Sequence, residues 1–183
     1  QESKVKIPLV DLQAQYVDIK EEIDAAVRFV LDSQSFIGGH FVTTFEEEFS
    51  QFTGAQHVIG VANGTDALTL ALRSLMLDIG EEVIVPANSF IATSEAVTNA
   101  GLKPVFCDVD PNTYLLDLNH VEELITASTG AIIPVHLYGQ MVDMKAVKTI
   151  SNKYKLTVIE DAAQAHGVHY RGITVGELSN LAC

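Results

Sequence analysis

Five short apolar runs, separated by stretches of helical spacing, constrain this chain more than any other feature. Val58–Ala62, Val83–Pro86, Val105–Val109, Ala131–Val135 and Thr157–Glu160 are each of strand length and apolar almost throughout. Near-continuous apolar strands are what a parallel sheet requires when helices cover both of its faces. Between the runs lie helical segments at Thr65–Leu77, Ser89–Asn99, Asn119–Thr126 and Asp143–Lys153. Turn signals at Ile79-Gly80, Asn99-Ala100-Gly101, Asp110-Pro111-Asn112 and Thr129-Gly130 punctuate them. The alternation predicts an α/β fold, a mostly parallel sheet with helices on both faces.

The first 55 residues follow a different pattern, and residues 1–55 read as a helical arm ahead of the α/β region at 56–183. Tyr16–Asp32 places Ile19, Ile23, Val27 and Val30 at helical spacing, which makes one face apolar. Thr44-Phe45-Glu46-Glu47 has the form of a capping box, followed by Phe45, Phe49 and Phe52 on one face of a second helix. The loop Gln34–His40, with two glycines, joins them. Such an arm packs on a partner subunit, over a site, or on its own domain.

Composition excludes several classes. With 48% hydrophobic and 19% charged residues, the chain is globular rather than disordered. Its 11 basic residues against 24 acidic ones give a formal charge of −13 and no basic cluster, which argues against a nucleic-acid partner. No apolar run approaches the ~20 residues needed to span a bilayer. The amino-terminal residues Gln1–Lys6 are polar, unlike a signal peptide, and no initiator methionine precedes them. Cys107 and Cys183 lie far apart and match no metal spacing, so a reduced cytoplasmic setting is expected. The six histidines form no HExxH pairing, and no metal site is expected.

Ligands of open α/β sheets sit at the carboxyl ends of the strands. There the sequence places Asn63-Gly64-Thr65-Asp66, Ala87-Asn88-Ser89-Phe90, Asp108 and Asp110, His136-Leu137-Tyr138, and Asp161. Gly64, Thr65 and Asp66 open a helix, where backbone N–H groups and the helix dipole suit a phosphate; an ordinary cap built by Asn63 or Thr65 is the alternative. Neither a Walker loop nor a GxGxxG fingerprint is present. Phe90 stands either as a ring stacked on a planar ligand or as a core side chain. Asp108 and Asp110, ahead of Pro111-Asn112, read as turn formers.

Asp161 closes an apolar strand, and an unpartnered carboxylate there is costly to bury. Two ligands suit it: a protonated cofactor ring nitrogen or, as in a Walker B strand, magnesium. The missing phosphate loop favours the first, which points to pyridoxal phosphate. Glu160 is expected on the opposite face, since strand side chains alternate. Gln164 is either a contact to a ring hydroxyl or a surface amide.

Taken together, these segments resemble the DegT-type nucleotide-sugar aminotransferases among the fold type I pyridoxal-phosphate enzymes. The resemblance rests on Ile7–Leu12, Phe36–Gly39, Asn63–Leu68, Val85–Thr93, Ile132–Gly139 and Ile159–Gln164, and on their order along nearly the whole chain. It implies that Gly64, Thr65 and Asp66 hold the cofactor phosphate, largely through backbone amides. Phe90 would then stack on the ring, Asp161 pair with the ring nitrogen and Gln164 contact the phenolic oxygen. It further implies transfer of an amino group from an amino acid, with glutamate as the expected donor, to a keto-sugar carried on a nucleotide. The Pro134–Gln140 block is most similar to members acting at C3 of dTDP-3-keto-6-deoxyhexoses. A homodimer is implied as well.

One departure stands beside these matches. Gly176–Cys183 is similar to the lead-in to the family's Ser-Phe and lysine segment, yet none of Lys4, Lys6, Lys20, Lys103, Lys145, Lys148, Lys153 or Lys155 occupies the Schiff-base position. The expectation is that this lysine lies beyond Cys183. Residues 56–183 would then be part of a cofactor-binding large domain, and the 183 residues alone inactive. Two alternatives follow from the same absence: a non-catalytic relative that binds a phosphorylated ligand or a partner subunit, and a sugar dehydratase of the same fold.

Overall fold

The computed structural model describes residues 7–183; Gln1–Lys6, including Lys4 and Lys6, lie outside the described residues. The chain divides into two compact units, one ending at Thr44 and one running Phe45–Cys183. In the first, Asp11 caps α1 (Leu12–Asp18) by accepting the Ala14 N–H at 3.0 Å. α2 (Lys20–Ser33) follows after a break at Ile19, where one continuous helix was expected. Neither helix has a buried residue. α3 (His40–Thr53) begins in this unit and ends in the next.

The capping box at Thr44 is not the start of α3. Gly38 and Gly39 both hold positive φ, and the Gly39 carbonyl accepts the Thr43 N–H, so the helix opens one turn earlier. Glycine reaches that conformation without a Cβ clash, which explains why the turn precedes the capping signal. In the second unit, Phe45, Phe49 and Phe52 stack along α3, with centroids 5.6 and 6.0 Å apart.

The second unit continues with α4 (Gly64–Ser74), β1 (Glu82–Pro86), α5 (Ala92–Asn99) and β2 (Lys103–Cys107). α6 (Leu118–Leu124), β3 (Thr129–Ile132), α7 (Met144–Tyr154) and β4 (Thr157–Glu160) come next. The short strands β5 (His169–Tyr170), β6 (Ile173–Thr174) and β7 (Leu181–Ala182) complete it. The main sheet is five-stranded in the order β2-β1-β3-β4-β7, and every pairing in it is parallel.

Both faces are covered, as the apolar strands require. Val83 and Val85 of β1, Ala131, Ile133 and Ile159 pack with Leu68 and Leu72 of α4 and with Ala96 and Val97 of α5. The intervening Ile84 and Ile132 turn to the other face, against Val121 of α6 and Ile150 of α7. Val158 packs there too, with Met144 and Val147. Period-two alternation thus builds two cores from one strand.

Val58–Ala62 is not a strand. Ile59 is 80% exposed, and the Gly60 N–H donates to Glu46 rather than to a neighbouring strand. β-branched residues alone do not make a strand without a sheet edge to join. β5 and β6 form an antiparallel hairpin over Arg171-Gly172, both at positive φ, as a tight primed turn demands. No described helix is long and apolar enough to cross a membrane.

A buried cross-link joins the loop after β3 to the end of β4. His136 and Glu160 are both fully buried, with His136 Nε2 2.6 Å from Glu160 Oε2. The Val142 N–H donates to His136 Nδ1 at 3.2 Å, so Nδ1 is an acceptor and Nε2 carries the proton given to Glu160. The Gly176 N–H donates to the second carboxylate oxygen at 2.9 Å. Replacing His136 with Ala leaves a buried carboxylate oxygen without its donor, and the expected loss of stability is about 1–3 kcal/mol. Urea unfolding of the variant checks this, and an unchanged midpoint would refute it.

Both thiols are held toward the neutral form by their surroundings. Burial, then Asp117 and Asp108, pushes Cys107 up to about 12, and burial with Asp161 nearby does the same for Cys183. Thiolate is the reactive form, so native protein at pH 8 should resist iodoacetamide and react only as the pH climbs toward that value. Labelling of native protein at the rate of the unfolded chain would contradict it.

Candidate active site

The crevice of an open α/β sheet lies where neighbouring strands send their connections in opposite directions. β1 leads through α5 to β2 on one side, whereas β3 leads through α7 to β4 on the other. The switch point therefore falls between the carboxyl ends of β1 and β3. Ser89 and Phe90 follow β1 there, and His136–Tyr138 follow β3, while Asp161 emerges beside them from β4.

Asp161 is 6% exposed. It shares the face of Ile159, the face covered by α4 and α5, while Glu160 turns to the face of Val158. Its Oδ2 accepts the Thr93 hydroxyl at 2.9 Å and its Oδ1 accepts the Ala163 N–H at 3.2 Å. The backbone is pinned as well: the Asp161 N–H donates to the Pro134 carbonyl, and the His136 N–H donates to the Asp161 carbonyl. Strand alternation, read as keeping the two carboxylates apart, does so here.

α4 ends at Ser74 and turns back into β1, so its amino end points to the same carboxyl edge and lies on the same face as Asp161. Asn63 caps it, accepting the Asp66 N–H at 2.8 Å and donating to the Asp66 carboxylate at 3.0 Å. The helix cap is thus built by Asn63. The Asp66 amide is committed to Asn63, whereas no partner among the described residues takes the Gly64 and Thr65 amides. A Cβ added at Gly64 would meet nothing within 4 Å, so its backbone is open to a ligand.

Phe90 is 71% exposed just before α5, which removes the core alternative for that ring. Gln164 lies in a turn rather than a helix, and its Oε1 accepts the Tyr138 N–H at 2.7 Å, leaving its Nε2 donors. Tyr138 sits at φ 58°, a left-handed backbone that aims its N–H at Gln164. Gly167 closes this turn against α3: a Cβ there would fall 2.7 Å from the Phe52 ring. Asp108 and Asp110 are the turn formers expected, Asp110 accepting the Asn112 and Thr113 amides at 2.9 Å. Among the described residues, no cluster of three metal-ligating side chains occurs.

Sequence reasoning placed Ser89 at a strand end without giving it a role, and passed over Thr93. A signal existed, because Thr93 shares its helical face with the buried Ala96 and Val97, where a hydroxyl must find a partner.

The family model of the DegT/DnrJ/EryC1/StrS aminotransferase family matches residues 17–183. A dTDP-3-amino-3,6-dideoxy-alpha-D-galactopyranose transaminase from Aneurinibacillus thermoaerophilus is 47% identical over 96% of this chain and 48% of the relative. Among solved structures, S. venezuelae DesV in complex with a ketimine intermediate superposes with a TM-score of 0.91 at 42% identity, over 97% of this chain and 48% of that one. NtdA from Bacillus subtilis, with bound cofactor PMP, gives a TM-score of 0.90 at 37% identity, over 100% of this chain and 42% of that one. The chain spans about half the length of the curated relatives it matches. The sheet order, the matched solved folds and the family model over residues 17–183 agree, and the chain belongs to the DegT/DnrJ/EryC1/StrS aminotransferase family.

Proposed function

We propose that this chain is the cofactor-binding part of a pyridoxal-phosphate-dependent aminotransferase that moves an amino group from an amino acid, glutamate, to a nucleotide-linked keto-sugar. The acceptor is a dTDP-3-keto-6-deoxyhexose, in line with the Pro134–Gln140 block. In this reading residues 1–55 are the arm and 56–183 part of the large domain. The Schiff-base lysine is supplied beyond Cys183, in a cytoplasmic homodimer. Family membership and a neighbour holding PMP support the cofactor.

The residues present fit that group. Pyridoxal phosphate, when bound, supplies an electron sink that works only while its ring nitrogen stays protonated. Asp161 is buried and accepts hydrogen bonds on both oxygens, and as a carboxylate it would hold the proton at that nitrogen. Gly64 and Thr65, at the positive end of α4, would bind the phosphate through their amides. Phe90 would orient the ring and shield it from water. Gln164, its oxygen already taken by Tyr138, would donate through Nε2 to the phenolic oxygen.

The observation that carries the reading is the placement of Asp161 and the start of α4 on one face and one edge. Exchanging Asp161 for Asn removes the charge but keeps the shape. Pyridoxal phosphate affinity, followed by equilibrium dialysis on the protein carrying this chain, should fall about tenfold or more, the size of one hydrogen bond to a charged group. Amino transfer from glutamate to the keto-sugar should fall with it. Equal affinity in the two proteins would sink the assignment.

A further inference from the structure

We infer that Thr93 is a positioning residue: its hydroxyl, oriented by Ser89, fixes the Asp161 carboxylate in the plane in which it faces a cofactor ring nitrogen. The inference rests on the cofactor reading above and deepens it by naming the residue that holds the acidic partner.

Proton counting sets the direction of the chain. Asp161 Oδ2 lies 2.9 Å from Thr93 Oγ1, and Thr93 has one proton to give. Once Thr93 donates that proton to the carboxylate, its oxygen is left as the acceptor toward Ser89 Oγ, also 2.9 Å away. Ser89 is therefore the donor, and the order is Ser89 to Thr93 to Asp161. Thr93 is 1% exposed, so water does not compete for its hydroxyl, while Ser89 is half-buried at the mouth of β1.

The consequence for Asp161 is geometric. A carboxylate at a strand end can rotate about its last bond, but here one oxygen is held from α5 by Thr93. The other is held from its own turn by the Ala163 N–H. The two donors approach different oxygens, so the plane is set. Charge-assisted hydrogen bonds of this kind are the strong ones, and a dry site strengthens them further. Hydrophobic burial alone places α5 against the sheet; the hydroxyl adds the orientation.

The test separates positioning from packing. Thr93→Val keeps the shape and loses the hydroxyl, while Thr93→Ser keeps the hydroxyl and loses a methyl. Affinity is measured by equilibrium dialysis on the protein carrying this chain, with two probes: pyridoxal 5′-phosphate and its analogue with C–H in place of the ring nitrogen. Thr93→Val should lose about tenfold or more for the first probe and little for the second, and Thr93→Ser should bind both nearly as the parent does. An equal loss for both probes, or no loss for either, overturns the inference. If the unaltered protein does not tell the probes apart, the cofactor reading of Asp161 fails by itself. The ligand-free protein then decides the positioning claim. The Asp161 13Cγ resonance, assigned with Asp161→Asn, should move in Thr93→Val and return in Thr93→Ser. An unmoved resonance rejects the claim.

Discussion

Two neighbouring carboxylates, Glu160 and Asp161, leave water together at the end of β4, and the rest of the site is arranged around their partners. Burying one ionised carboxylate without hydrogen bonds would cost more than most domains have in net stability. Burying two side by side would add their mutual repulsion. The strand resolves this by its pleat, which sends them to opposite faces. Glu160 meets His136 and the Gly176 amide below the sheet, and Asp161 meets Thr93 and the Ala163 amide above it. Their assignments differ accordingly. The lower carboxylate is closed off by protein, while the upper one stands at the carboxyl edge of the sheet, beside the switch point.

The lower pair also serves the upper one. His136 links the loop after β3 to the end of β4, and its backbone N–H holds the Asp161 carbonyl. The loop then runs to Tyr138, whose N–H fixes Gln164. A single buried histidine, in one tautomer, therefore stands behind the placement of two candidate ligand contacts. Side chains held this way need little reorganisation when a ligand arrives, which is where preorganised polar sites gain their strength.

Much of this was legible in the residues. Four of the five apolar runs became strands of one parallel sheet, because such runs are stable only when covered on both faces. The fifth, Val58–Ala62, met no sheet edge and stayed irregular. The strands missed, β5, β6 and β7, span only two residues each, too short to show a period. Of the site residues, Asp161 stood out because a charge at the end of an apolar strand demands a partner. Gly64–Asp66 stood out because they open a helix. Thr93 did not stand out, since its partner is 68 residues away and no local pattern records such a distance.

What the sequence determined by itself was the class of the fold and the residues bearing charge, hydroxyl or ring at strand ends. These follow from periodicity and from the cost of burying polar groups, both local properties of the chain. Tertiary structure alone decided which of those residues face each other. It set the switch point between β1 and β3, brought Thr93 of α5 onto Asp161, and left the Gly64 and Thr65 amides open while Asn63 took that of Asp66. Strand order and helix face are fixed by how the whole sheet buries its two cores, and packing of that kind is a property of the assembled fold rather than of any segment.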